Sequence, residues 1–141
     1  ESQQPDSQGQ IVSRVRARMF DSTALALGDE FDLSPVDDGA QSGCRISALP
    51  GSGFVAAWTY SYMIGFSVEF DTLVQRFDDT GEPAGSQLTP AIAGGYDQVQ
   101  PAVVAWADGS FVVVWKSSTY PPGGYGVFAQ RFGVNGNKLY H

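Results

Sequence analysis

Apolar residues along this chain fall in short runs of two kinds. Phe54-Val55-Ala56-Ala57-Trp58 and Phe111-Val112-Val113-Val114-Trp115 are apolar at every position. That predicts interior strands buried on both faces, because a strand with one wet face alternates apolar and polar residues. In Leu73 to Phe77 and Phe128 to Phe132, Gln75 and Gln130 share a face with apolar neighbours while Arg76 and Arg131 lie opposite. These read as partly buried strands. Ile46 to Leu49 and Val103 to Trp106 precede the turns Pro50-Gly51-Ser52-Gly53 and Ala107-Asp108-Gly109-Ser110, which are hairpin signals. Glu30 to Leu33 and Gln87 to Thr89, entered from Gly28 and Gly85, are weakest and read as edges.

The runs recur. A shift of 57 residues superposes Phe20-Asp21 on Phe77-Asp78, Gln41 on Gln98, Phe54-Val55 on Phe111-Val112, and Trp58 on Trp115. A third copy starts at Phe128, 55 residues after Leu73, with Gly136 answering Gly81. A fixed period of this size marks a repeat architecture. The expected organisation is a polar arm over 1–14 and a repeat domain over 15–141, divided into a partial unit 15–35, a unit 36–92 and a shortened unit 93–141. Four antiparallel strands per unit, most apolar inside and most polar at the rim, match a β-propeller blade. The expected fold is all-β, about two and a half propeller-like blades. The alternative is a β-sandwich, whose strands alternate more cleanly.

Composition agrees with strands and narrows the chemistry. Seventeen glycines, 13% aromatic and only 16% charged residues fit many short strands joined by tight turns. The net charge of −7 opposes nucleic acid and anionic membrane surfaces as partners. Cys44 alone makes no intrachain disulfide, and the single histidine is His141, so an imidazole-based active site is not expected. No apolar run is long enough for a membrane-spanning helix, and Glu1 to Gln4 lack a signal-peptide pattern. No membrane insertion is expected.

The string Gln100-Pro101-Ala102-Val103-Val104-Ala105, then Asp108-Gly109-Ser110-Phe111 to Trp115, then Gly126-Val127-Phe128-Ala129-Gln130-Arg131-Phe132 resembles the tandem β-repeat of large secreted or surface-attached bacterial proteins. Residues 98–136 match closely. Residues 16–97 match in degraded form, with Pro50-Gly51 in place of Asp-Gly and Cys44 where the repeat has proline. The resemblance implies an extracellular or cell-surface, propeller-like, non-enzymatic module, often found beside calcium-binding domains. It brings no catalytic residue and no cofactor.

Closed propellers use about four to eight blades, more than this sequence holds. Arg16, Arg18 and Phe20 open the outer part of a unit, and Leu139 and Tyr140 stand where a last strand is due. Open strand edges and uncovered faces favour pairing with another chain. Other copies of the chain are therefore the expected partners, through Ile11 and Val12 of the arm, Arg16, Arg18, Phe20, Leu139 and Tyr140. A ring, a fibre and a piece of a longer processed polypeptide all stay open.

Other chemistry is sparse. The acid pairs Asp37-Asp38 and Asp78-Asp79 precede glycines and are weak calcium candidates, although neither has the alternating ligands of an EF-hand loop. Turn formation is their blander role. Tyr60, Tyr62, Trp106, Tyr120 and Tyr125 lie at or near loop ends, where flat rings beside polar groups can stack on sugars. Packing against an adjacent blade is the competing role. Cys44 is expected to be buried. The leading expectation is a self-assembling structural module, and the alternative is a carbohydrate-binding propeller built from short chains.

Overall fold

The structure, a computed structural model, describes residues 2–5, 9, 11–34, 39–90, 96–119 and 124–140. Within them the chain is all-β, with a short 3-10 turn at Pro50–Ser52. The strands are β1 (Ser2–Pro5), β2 (Ile11–Arg14), β3 (Arg16–Ala17), β4 (Phe31–Asp32), β5 (Ala40–Ala48), β6 (Phe54–Ile64), β7 (Ser67–Phe77), β8 (Gln98–Ala105), β9 (Phe111–Thr119), β10 (Gly124–Phe132) and β11 (Lys138–Leu139). They form small antiparallel sheets ordered β1-β2, β3-β4, β5-β6-β7 and β8-β9-β10-β11. Only Val15 separates β2 from β3, so the first two sheets are treated together below as the first layer. β5-β6-β7 is the second layer and β8-β9-β10-β11 the third.

Local chemistry repeats from layer to layer. Asp21 Oδ1 accepts hydrogen bonds from the Thr23 backbone N–H (2.8 Å), the Thr23 hydroxyl (2.7 Å) and the Leu25 N–H (2.9 Å). Asp78 Oδ1 accepts the same three from Thr80 (2.9 and 2.6 Å) and Glu82 (3.0 Å). Such a side chain mimics a backbone turn and fixes the chain reversal. The reversal needs a left-handed residue, supplied by Ala24 (φ 63), Gly81 (φ 87) and Gly136 (φ 82). Beyond it, an outer segment returns along its neighbour: Leu27 N–H donates to Met19 O at 3.0 Å, and Ala84 N–H to Arg76 O at 2.8 Å. The second layer thereby gains a rim at Leu88, which bridges Val74. The two corresponding strands β5 and β8 also each carry a bulge, between Ser42 and Arg45 and between Val99 and Ala102.

The layers pack face to face through β6, whose residues Val55, Ala56, Ala57 and Trp58 are all fully buried. Ala56, Trp58, Leu73 and Phe77 form one cluster with Val15 and Leu33 of the first layer. Val55, Ala57 and Val74 form the other with Phe111, Val113, Trp115 and Phe132 of the third. Continuous apolar character in β6 thus reflects protein on both sides.

Two expectations need correction. β9 carries the same continuous pattern over Phe111 to Trp115, yet of these five residues Phe111, Val113 and Trp115 are buried while Val112 and Val114 are half exposed. Nothing among the described residues stacks on that side. Within the polar arm, Ser2–Pro5 pairs antiparallel with Ile11–Arg14 of the same chain, Pro5 opposite Ile11. This pairing satisfies the backbone groups along one edge of β2. Cys44, expected to be buried, is half-buried in β5 beside the first cluster and forms no disulfide.

Candidate functional site

The feature that distinguishes one surface from the rest is the open face of the third layer. Cross-strand pairing aligns Ala102 with Val114, Val104 with Val112, Val127 with Lys116, Ala129 with Val114, and Arg131 with Val112. Alternation of side chains along a strand puts all of these on one face. Here it is called the front, opposite Phe111, Val113 and Trp115.

The second layer shows what such a front does when covered. Leu49, Val55, Ala57, Thr72, Val74 and Arg76 occupy there the positions that Trp106, Val112, Val114, Val127, Ala129 and Arg131 occupy in the third layer, 57 or 55 residues later. Thr72 and Val74 are fully buried beneath the third layer, whereas Val127 is 78% exposed and Trp106 44%. Positions that are interior in one layer are solvent-facing in the next.

Polar groups edge this face. Arg131 stacks over Trp106, its guanidinium carbon 5.0 Å from the ring centroid, and Lys116 Nζ lies 4.0 Å from the centroid of Tyr125. Cation–ring contacts of this kind restrain each aromatic through the attraction of the charge for the ring face. Gln100, Ala102, Val114, Lys116, Tyr125 and Val127 line a shallow open groove of roughly 410 Å³ along it.

The sugar candidates do not converge. Tyr60 and Tyr62 stack on each other at 5.2 Å between centroids, and the Tyr62 hydroxyl donates to Asp71 Oδ2 at 3.0 Å. Loss of solvation, reinforced by the Asp71 carboxylate, raises the Tyr62 pKa above that of an ordinary phenol. These rings belong to the second layer. Trp106 and Tyr125 belong to the third, and the strand neighbours Arg131 and Tyr125 stand six residues apart along β10, roughly 20 Å at about 3.3 Å per residue. No single monosaccharide spans that distance. Tyr120 lies outside the described residues.

Of the calcium candidates, Asp37 and Asp38 also lie outside the described residues. Asp78 spends one carboxylate oxygen on its turn, and Asp79 is exposed beside it. Among the described residues no group of three or more His, Cys, Asp or Glu side chains could hold a metal ion. No helix formed by them is long and apolar enough to cross a membrane.

The expected assembly residues scatter. Ile11 and Val12 pair within the first hairpin, and Arg16 bridges Glu30 (3.0 Å) and Asp32 (3.2 Å). Arg18 donates to Gly28 O at 2.8 Å, Phe20 is exposed, Leu139 pairs with Arg131, and Tyr140 is exposed. Apart from Trp106 and Tyr125, which the sequence offers as sugar platforms, the front-face residues are not among the candidates it offers. Their signal was the excess apolarity of Val112 and Val114. No protein-family model matches the chain, and neither does any curated protein or solved structure.

Proposed function

We propose that this chain is a non-enzymatic structural module of the cell exterior, built from propeller-like blades, that assembles with other copies of itself by stacking blade on blade. The observation that carries the reading is the front of the third layer. It repeats in exposed form the positions that the second layer buries against its neighbour. Burial of β6 on both faces supports blades over a two-sheet sandwich, which leaves one side of each sheet wet. Face-to-face stacking that closes gives a ring, and stacking that does not close gives a filament.

Magnitudes set the expected strength. Full burial of a valine, leucine or aromatic side chain yields about 1.5–3 kcal/mol, and association costs about 4–15 kcal/mol in lost freedom. The apolar side chains of the front are already partly covered by their neighbours, so their further burial yields less than these full values and gives weak, concentration-dependent association through a single contact. Mass determination by light scattering across a concentration series tests this. Species above 15.1 kDa that grow with concentration support the proposal, electron microscopy then separating rings from rods. A constant 15.1 kDa particle contradicts it.

The Tyr60–Tyr62 stack supports a second reading, glycan binding at the second layer, because two near-parallel rings 18° apart offer a platform of sugar-ring size. Glycan-array binding that is lost in Tyr62→Ala supports it. No signal at any glycan contradicts it.

A further inference from the structure

The two layer contacts inside the chain are made the same way, and their geometry says which surface of a second copy fits the open front. Each later layer brings an aromatic residue and the turn that follows it onto the front of the earlier one. Phe77 and Phe132, 55 residues apart, are the aromatics and are 2% and 0% exposed. The turn glycines seat on equivalent pairs of residues. A Cβ built on Gly81 would lie 2.9 Å from Phe31 Cζ and 3.6 Å from Met19 Cγ. One built on Gly136 would lie 3.2 Å from Leu88 Cδ1 and 3.9 Å from Arg76 Nη1.

The first layer carries a third set of these parts with nothing among the described residues beneath it. Phe20 matches Phe77 and Phe132 but is 54% exposed, and the turn Asp21 to Leu25 has the hydrogen bonds of the Asp78 turn. On the third layer, Arg131 is the exposed counterpart of Met19 and Arg76. We infer that copies associate head to tail, Phe20 and the Asp21 turn of one molecule seating on the Trp106, Val127 and Arg131 front of the next. The inference rests on the self-assembly proposed above and names its interface.

Charge favours this arrangement over a symmetric one. A front joined to another front sets Lys116 and Arg131 of both copies in one interface, and like charges brought together there cost free energy. A head-to-tail contact instead brings Arg131 toward the carboxylate of Asp21, in a layer where Arg16 already pairs with Glu30 and Asp32 and Arg18 lies over the Phe20 ring, so opposite and like charges are mixed there and not all of one sign. The two surfaces differ, so the contact is heterologous and propagates unless it closes.

Sedimentation velocity on two blocked variants and their mixture tests the inference. Val127→Asp places an anion in the front and leaves the Phe20 surface intact. Phe20→Lys places a cation where Lys116 and Arg131 would face it and leaves the front intact. Both positions are exposed, and thermal unfolding confirms that each variant folds; Trp106→Asp and Leu25→Lys replace either one that does not. The wild type is expected to grow in mass with concentration, and each variant alone to remain a single chain. Their equimolar mixture is expected to form a two-chain species and nothing larger. Phe20→Lys that assembles like the wild type overturns the head-to-tail inference while leaving self-assembly standing. A wild type that is monomeric at every concentration overturns self-assembly, and the inference with it.

Discussion

Gln75 Nε2 donates to the carbonyl oxygen of Gly85 at 3.0 Å, and also to Arg76 O at 2.8 Å, tying the outer segment of the second layer to β7. Gln130 ties β11 to β10 in the same manner, through Arg131 O at 2.7 Å and Leu139 O at 3.0 Å. In the first layer Arg18, 57 positions before Gln75, reaches the equivalent Gly28 carbonyl. A side chain at this position clamps the rim of each layer, where backbone pairing is thinnest.

The clamp has a measurable worth. Gln75 is buried, so Gln75→Leu leaves carbonyl groups short of a donor and is expected to lower stability by about 1–3 kcal/mol. Gln130 is partly exposed, and water can replace part of what Gln130→Leu removes. Its loss is expected to be smaller, read as the difference between the two chemical-denaturation midpoints.

Equivalent positions in covered and open layers should respond differently to charge. Val74→Asp buries an uncompensated carboxylate between the second and third layers and is expected to cost upward of about 3 kcal/mol. Ala129→Asp, 55 residues on and exposed, is expected to change monomer stability by less than about 1 kcal/mol. Comparable losses from both, measured at a concentration where the chain is monomeric, would show that the third layer is covered within the single chain.

Three turn aspartates set an acid limit. The Thr80 hydroxyl, followed by the backbone N–H of Glu82 and Thr80, holds Asp78 below the ordinary carboxylate pKa. The Thr23 hydroxyl and the N–H groups of Leu25 and Thr23 lower Asp21 in the same way, and the Ser110 hydroxyl and N–H, helped by Arg131, lower Asp108. Groups lowered on folding contribute fully above their unfolded pKa, near 4, and lose that contribution as pH falls through the folded value. Stability is therefore expected to drop below about pH 4. Asp78→Asn should flatten that drop, as followed by thermal melts from pH 6 to pH 2.5.

The bulge in β8 stores some backbone strain. Gln100 has φ 57 where Gly43, its counterpart in β5, has φ 64. A non-glycine side chain in the left-handed region costs on the order of 1–3 kcal/mol, partly offset in Gly by its greater unfolded entropy. Gln100→Gly is expected to raise the melting temperature slightly. A fall would mean that the glutamine side chain itself holds the bulge.

Much of this architecture was legible because it is written in side-chain pattern. Phe54 to Trp58 is apolar throughout, and the structure gives it protein on both sides. The reversals after Phe20, Phe77 and Phe132 were marked by Asp-x-Thr or by glycine, both of which act locally. β1 was not legible: Ser2–Pro5 has no apolar alternation, and its pairing with β2 is made by backbone atoms that every residue shares. The bulge at Gln100 escaped for a similar reason, since glutamine is not a residue that signals a left-handed backbone. The third layer is the informative mismatch. Val112 and Val114 carry the composition of a covered strand, and nothing among the described residues covers them.

The most direct test of the central claim is hydroxyl-radical footprinting of Trp106 and Tyr125 as chain concentration rises, with Phe66, fully exposed at 106% relative accessibility, as the internal reference. Engagement of the third layer by another copy predicts that labelling of Trp106 and Tyr125 falls with concentration while Phe66 stays constant. Equal labelling of all three at every concentration would contradict the account.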